Sequence, residues 1–190
     1  ATVFLVRQPD FKRLLAYSSV EHMGILAVGV GLGGLGGYGA LLHAVSHSLT
    51  KGMLFLVAGN IMSACQTKAA AGVRGLLHGL PASGVLWTAG FFAIAGSPPF
   101  GTFLSEFTII RAALGLGRPV VAGAMLLLLG VIFAGMSRTM LAMAHGEAAS
   151  KHPAEPFLAV APPVVLAVLV LLLGLFIPPP LETTLRLAAC

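Results

Sequence analysis

The sequence predicts an all-α fold: a polytopic membrane helical bundle of five to six transmembrane helices, one of them interrupted. Three observations predict it. The chain of 190 residues is 57% hydrophobic and only 9% charged, where an ordinary soluble domain carries about 25% charged residues. Its mean hydropathy is +0.97. Its apolar residues gather in long blocks without strand-like alternation. Backbone in hydrocarbon must satisfy its own hydrogen bonds, which leaves helices or closed barrels. Disorder, a disulfide scaffold and a soluble enzyme domain are thereby excluded. Residues 1–190 read as a single membrane domain.

Each element follows from its punctuation. Block one covers residues 14–32 and follows the charged lead-in Asp10-Phe11-Lys12-Arg13. Block two covers 38–63. Block three covers 82–95, too short to span, and Gly96-Ser97-Pro98-Pro99-Phe100-Gly101 interrupts it, because proline lacks the N–H a helix interior needs. A second short stretch, 102–116, follows that break. Gly117-Arg118-Pro119 ends it, and block four covers 120–144. Residues 145–156 form the one sustained polar loop. Block five covers 157–177 and stops at Pro178-Pro179-Pro180. A span needs about 20 apolar residues, so the long blocks suffice and the short pair makes the interrupted region.

Several motifs carry less than they suggest. Gly29-Val30-Gly31-Leu32-Gly33-Gly34 matches G-x-G-x-x-G. A dinucleotide site would need a strand before it and an acidic residue about 20 positions on. Both are missing, so it reads as a tight turn whose small residues let helices approach. The net charge of +5 sits mostly at block ends, where membrane proteins place anchors. A nucleic-acid partner is not expected. Cys65 and Cys190 form neither a disulfide framework nor a ligand set. The chain opens on Ala1 without signal-peptide anatomy, so it reads as the C-terminal part of something longer.

The informative residues are ionisable groups inside apolar blocks, each costing about 2.5–3.5 kcal/mol on insertion scales. Glu21 and His22 lie in block one. His43, His47 and Lys51 lie in block two, and Glu106 lies after the interruption. Arg111 and Arg138 sit nearer block ends and can snorkel. The spacing of His43, His47 and Lys51 is i, i+4, i+8, which stacks them on one helix face over about 12 Å. Ser46 and Thr50 lie beside that face. Such a ladder of titratable groups suits a proton relay. A His-x-x-x-His pair can also bind a metal, but no local carboxylate or cysteine completes a set, so no metal is expected. A carboxylate beside a broken helix recurs in transporters. The plain alternative makes the broken region a surface turn with Glu106 solvated. No arrangement for hydrolysis, haem, iron–sulfur or phosphate binding is present, so the chain is expected to bind no cofactor and to be non-catalytic.

At these residues the chain resembles a known family. Asp10-Phe11-Lys12-Arg13-Leu14-Leu15-Ala16-Tyr17-Ser18-Ser19 is similar to the D-x-K-R-x-x-A-Y-S-S signature of antiporter-like membrane subunits. Those subunits belong to respiratory complex I, membrane-bound nickel–iron hydrogenases and multisubunit cation/proton antiporters. His43-x-x-x-His47-x-x-x-Lys51-Gly-Met-Leu-Phe resembles the family's H-x-x-x-H-x-x-x-K-x-x-L-F helix. Gly96 to Phe107 resembles its G-x-P-x-x-x-x-F-x-S/G-K/E segment. The Ser-Ser-Val-Glu-His-Met-Gly and Ser-Pro-Pro-Phe-Gly-Thr-Phe-Leu-Ser-Glu-Phe variants look most like the hydrogenase-4 component F and formate hydrogenlyase branch.

The resemblance implies the second repeat of an antiporter-like fold plus the last helix. It places Lys51, His43 and His47 on a central hydrophilic axis and Glu106 at the broken-helix Lys/Glu position. It gives Lys12 the D-x-K position; the role of Glu21 and His22 stays open. It implies part of a proton pathway in an energy-coupling redox complex of the hydrogenase or NADH dehydrogenase type. A Na⁺/H⁺ antiporter subunit without a redox partner is the alternative. Expected partners are other membrane subunits and, through them, a peripheral redox arm. The expected location is the cell inner (plasma) membrane, in multi-pass form.

Overall fold

The computed structural model describes residues 1–147 and 155–189. Residues 148–154, most of the expected polar loop, lie outside the described residues, as does Cys190. The architecture is all-helical. A short α1 (Thr2–Val6) leads into α2 (Phe11–Leu32) and α3 (Gly34–Cys65). A single 3₁₀ turn (Ala70–Gly72) and a one-turn α4 (Leu76–Gly79) follow. Then come α5 (Pro81–Ile94), α6 (Gly101–Gly115), α7 (Pro119–Ala144), α8 (Phe157–Leu175) and α9 (Pro179–Ala188). Among the described residues there is no strand, only an isolated antiparallel bridge between Asp10 and Ala69.

Four helices, α2, α3, α7 and α8, are long and apolar enough to cross a membrane. Helices α5 and α6, of 14 and 15 residues, form the interrupted region. At about 1.5 Å per residue, the 32 residues of α3 run well past the ~30 Å of a hydrocarbon core. This helix is the axis of the bundle and packs against α2, α5, α6, α8 and α9.

Local chemistry fixes the boundaries. Helix α2 starts three residues before block one because Asp10 caps it, accepting from the Lys12 and Arg13 N–H groups at 2.9 and 3.1 Å. The α2–α3 turn turns on Gly33, whose φ of +67° favours glycine. Of the motif's other glycines, Gly29 serves the close packing expected from sequence, while Gly31 and Gly34 have nothing within 4 Å of an added Cβ. A Cβ on Gly29 would come within 2.9 Å of the Gly36 carbonyl and the Ala40 Cβ. At the interruption, Thr102 Oγ1 donates to the Ala93 carbonyl and Ser97 N–H donates to Phe92 O at 3.0 Å. Backbone groups released by the break are thus bonded within the protein, as membrane depth requires. Helix α8 presses on the same break, where Gly174 lies against the Pro99 carbonyl.

The distribution of polarity is that of a bilayer protein. Leu126, Leu127, Leu128 and Val131 of α7 and Val165, Val168 and Leu172 of α8 are exposed, while Ser18, His22, His43, Ser46, His47, Thr50, Lys51, Ser105 and Glu106 are buried. One apolar core lies at one end of the bundle. There Trp87 meets Phe11 edge-on, ring centroids 5.8 Å apart, and donates its indole N–H to Met140 O at 3.2 Å.

Candidate functional site

The i, i+4, i+8 spacing on α3 does what helix geometry demands. His43, His47 and Lys51 share one face and are all buried, with exposures of 0, 5 and 6%. The fold then adds two walls. Helix α2 runs antiparallel to α3 and brings Glu21 and His22 to that face. Helix α6, starting after the break, brings Glu106 to it.

His22 stands at the junction. Its Nδ1 lies 2.9 Å from His43 Nε2 and 3.9 Å from Glu106 Oε1. Its Nε2 lies 3.4 Å from Glu21 Oε2. Its ring lies 4.5 Å from that of His47 and 5.0 Å from that of His43, centroid to centroid. On the far side of His43, Nδ1 is 2.8 Å from Ser105 Oγ.

These contacts assign the protons. A hydroxyl has one hydrogen, and Ser105 donates its own to the Thr102 carbonyl at 2.7 Å. Ser105 therefore accepts from His43 Nδ1–H. A neutral His43 then carries its lone pair on Nε2, and His22 Nδ1–H donates to it. The lone pair of His22 is left on Nε2, facing Glu21. The assignment follows from the hydrogen-bond network.

Lys51 lies one turn beyond His47. Its Nζ donates to the Leu15 carbonyl at 2.5 Å and to Ser18 Oγ. Both acceptors belong to α2, and Ser18 in turn donates to Leu15 O at 3.1 Å. Lys12 stands apart from the cluster. It is half-buried in the first turn of α2, about 13 Å along the helix from Glu21 at 1.5 Å per residue.

Glu106 fits its place because Gly96 leaves room for it. Gly96 has a φ of +65°, and a Cβ there would collide with the Glu106 carboxylate. Glu106 is 4% exposed, which removes the solvated surface reading. Glu106 Oε1, Glu21 Oε2 and His47 Nδ1 are buried without a hydrogen-bond partner among the described residues. Glu21 also lines a cleft of about 580 Å³ with Val28, Val121, Met125 and Leu129.

Ser18 and Ser105 complete the hydrogen bonding of Lys51 and His43, and charge alone does not reveal them. The signal for them is position: Ser18 sits in the Ala-Tyr-Ser-Ser segment, and Ser105 immediately precedes Glu106.

Fold and site define a multi-pass membrane protein with an ionisable interior. Residues 1–145 match the transmembrane family described as NADH:quinone oxidoreductase/Mrp antiporter, and the chain belongs to that family. A hydrogenase-4 component F homolog of Methylacidiphilum infernorum is 42% identical over 114 residues, 60% of this chain and 24% of that protein. NADH-quinone oxidoreductase subunit L of Mycobacterium tuberculosis is 35% identical over 167 residues, 84% of this chain and 26% of that protein. A chain of respiratory complex I from Thermus thermophilus, solved with bound NADH, superposes with a TM-score of 0.87 at 27% identity. That match covers 99% of this chain and 41% of the other. The chain thus spans about a quarter of the length of these two curated relatives.

Proposed function

We propose that this chain carries part of a proton translocation pathway in a membrane subunit of an energy-coupling redox complex. The complex is of the hydrogenase-4/formate hydrogenlyase or complex I type. The observation that carries the reading is the convergence of Lys51, His47, His43, His22 and Glu106 in the buried interior, with half-buried Glu21 joining them at the edge of a cleft, from three helices. Burying so many ionisable groups costs too much to be incidental.

The geometry supports a hand-off. A proton given by Glu21 to His22 Nε2 frees the proton on His22 Nδ1 to move to His43 Nε2, 2.9 Å away. His22 ends neutral with its proton on the other nitrogen, and His43 ends as the cation. Glu106 Oε1 stands beside the same Nδ1 and can take that proton instead. Lys51 supplies a movable positive charge one turn away, held by carbonyl and hydroxyl rather than by a carboxylate.

On this reading the chain does no redox chemistry and binds no cofactor. Its partners are other membrane subunits, a peripheral redox arm reached through them, and the bilayer of the cell inner membrane. Nucleic acid is not among them. Lys12 would take part at the mouth of the pathway.

The test is redox-driven proton pumping by the intact complex in proteoliposomes. Lys51→Ala and Glu106→Gln should each abolish pumping while the complex still assembles and transfers electrons. Undiminished pumping in both variants overturns the reading. A sodium-dependent pH gradient formed without any electron donor would move the assignment to a cation/proton antiporter.

A further inference from the structure

The sequence supplies two histidines at helical spacing and no third ligand. The fold supplies the third. His22 from α2 joins His43 and His47 from α3, and one ligating atom from each lies within 4.8 Å of the others. All three are buried. We propose that His22, His43 and His47 bind a zinc-class divalent ion.

The donor chemistry selects the ion. Imidazole nitrogen suits zinc and its neighbours in the first transition row, while magnesium and calcium want oxygen. Three histidines supply three of the four ligands zinc takes and leave one position open. Zinc–nitrogen bonds of 2.0–2.1 Å put tetrahedral donors about 3.4 Å apart. His22 Nδ1 and His43 Nε2 are already at 2.9 Å, and His47 offers a ring nitrogen within 4.8 Å of a ligating atom of each. Glu106 Oε1, buried and without a hydrogen-bond partner, lies 3.9 Å from the same His22 nitrogen. Its negative charge offsets part of the ion's.

The outer contacts argue most strongly. A ligating histidine normally gives its remote N–H to a carboxylate or another fixed acceptor, which orients the ring. His43 does so through Nδ1–H to Ser105 Oγ, leaving Nε2 bare toward the cluster. His22 has Glu21 beside its remote Nε2. When the ion takes Nδ1, the proton of His22 is held at Nε2 next to that carboxylate. One histidine thus has a hydrogen-bonded partner on the nitrogen that faces away, and a second has a carboxylate 3.4 Å from it.

The ion would occupy the nitrogen atoms that the proposed relay uses. The inhibitory consequence rests on the relay reading, while the binding itself does not. The experiment uses the metal-free full-length subunit in detergent, with zinc chloride as the probe. Equilibrium dialysis counts bound zinc, and X-ray absorption at the zinc edge reads its first shell. One zinc per chain in a nitrogen-rich shell is expected. His47→Ala should abolish tight binding, and Ser105→Ala should weaken it about 10–100-fold. No bound zinc in the unaltered protein, or an oxygen-dominated shell, overturns the proposal without recourse to any variant. Equal affinity in His47→Ala also overturns it. Proton pumping with the zinc site filled separates the two readings. Bound zinc with unchanged pumping would keep the site and overturn the relay.

Discussion

At the scale of the residue, the site is governed by who supplies the last hydrogen bond. Ser18 is the clearest case. It accepts from Lys51, so Ser18→Ala leaves the ammonium with the Leu15 carbonyl alone. Losing a hydrogen bond to a buried charge costs about 1.5–3 kcal/mol. Pumping should slow accordingly, with assembly intact, when measured beside Lys51→Ala. Gly96 governs Glu106 by shape. Gly96→Ala places a Cβ at a φ of +65° and against the carboxylate, and the φ alone costs about 1–2 kcal/mol. Gly59→Ala, a helical site with nothing within 4 Å of the added atom, is the control. Thermal unfolding in detergent should drop for the first and hold for the second. Sequence reading finds the ionisable side chains because charge in an apolar block stands out. It misses Ser18 and Ser105 because a hydroxyl inside a membrane helix is unremarkable until its partner is known. It leaves the role of Glu21-His22 open because the contacts of His22 to His43 and Glu106 are made between helices.

At the scale of the element, the long helices are legible because hydrophobic length and Gly/Pro punctuation are local properties. The short ones are not. Helix α9 begins inside the proline run that sequence reading takes as a stop, since proline is well suited to a first helical turn. It is pinned by a tertiary contact, Arg186 lying over the Tyr38 ring at 4.9 Å, while the Arg186–Glu182 bond at 2.8 Å is internal to the helix. Helix α5 shows the same dependence. Its N-cap position, Leu80, offers no side-chain acceptor. The cap comes instead from Glu155, 72 and 73 residues away, whose oxygens accept from the Ser83 and Ala82 N–H groups at 3.0 and 2.9 Å. Carboxylate at a helix start is favoured by both the open N–H groups and the dipole. Glu155→Ala should destabilise by about 0.5–2 kcal/mol, the range for a lost cap. The chain's single tryptophan, Trp87, lies about one turn beyond the capped Ser83 N–H in α5 and reports the change. Its fluorescence transition should move to lower temperature in Glu155→Ala and stay in place in Glu147→Ala, an exposed carboxylate elsewhere in that loop.

At the scale of the whole molecule, interior and surface are arranged for hydrocarbon rather than for water. The interior holds lysine, histidine and glutamate while leucine, valine and phenylalanine face outward, an arrangement that water would unfold and hydrocarbon stabilises. Composition alone predicts this much, because 9% charged residues cannot cover a water-facing surface. It does not say which apolar residue touches lipid. The structure makes that distinction testable with one substitution at two sites. Leu127, on α7, and Leu187, on α9, are 70 and 74% exposed. Helix α7 is long enough to span, while the ten residues of α9 are too few. Were both leucines in water, arginine would be equally harmless at each. In a bilayer, Leu127→Arg places a charge within a span and costs about 2.5–3.5 kcal/mol on insertion scales. Leu187→Arg sits on a helix already carrying Glu182 and Arg186 and should cost almost nothing. The fraction of protein resisting alkaline extraction from membranes measures the difference. A clear loss for Leu127→Arg alone is expected, and equal retention of both variants would refute a lipid-facing α7.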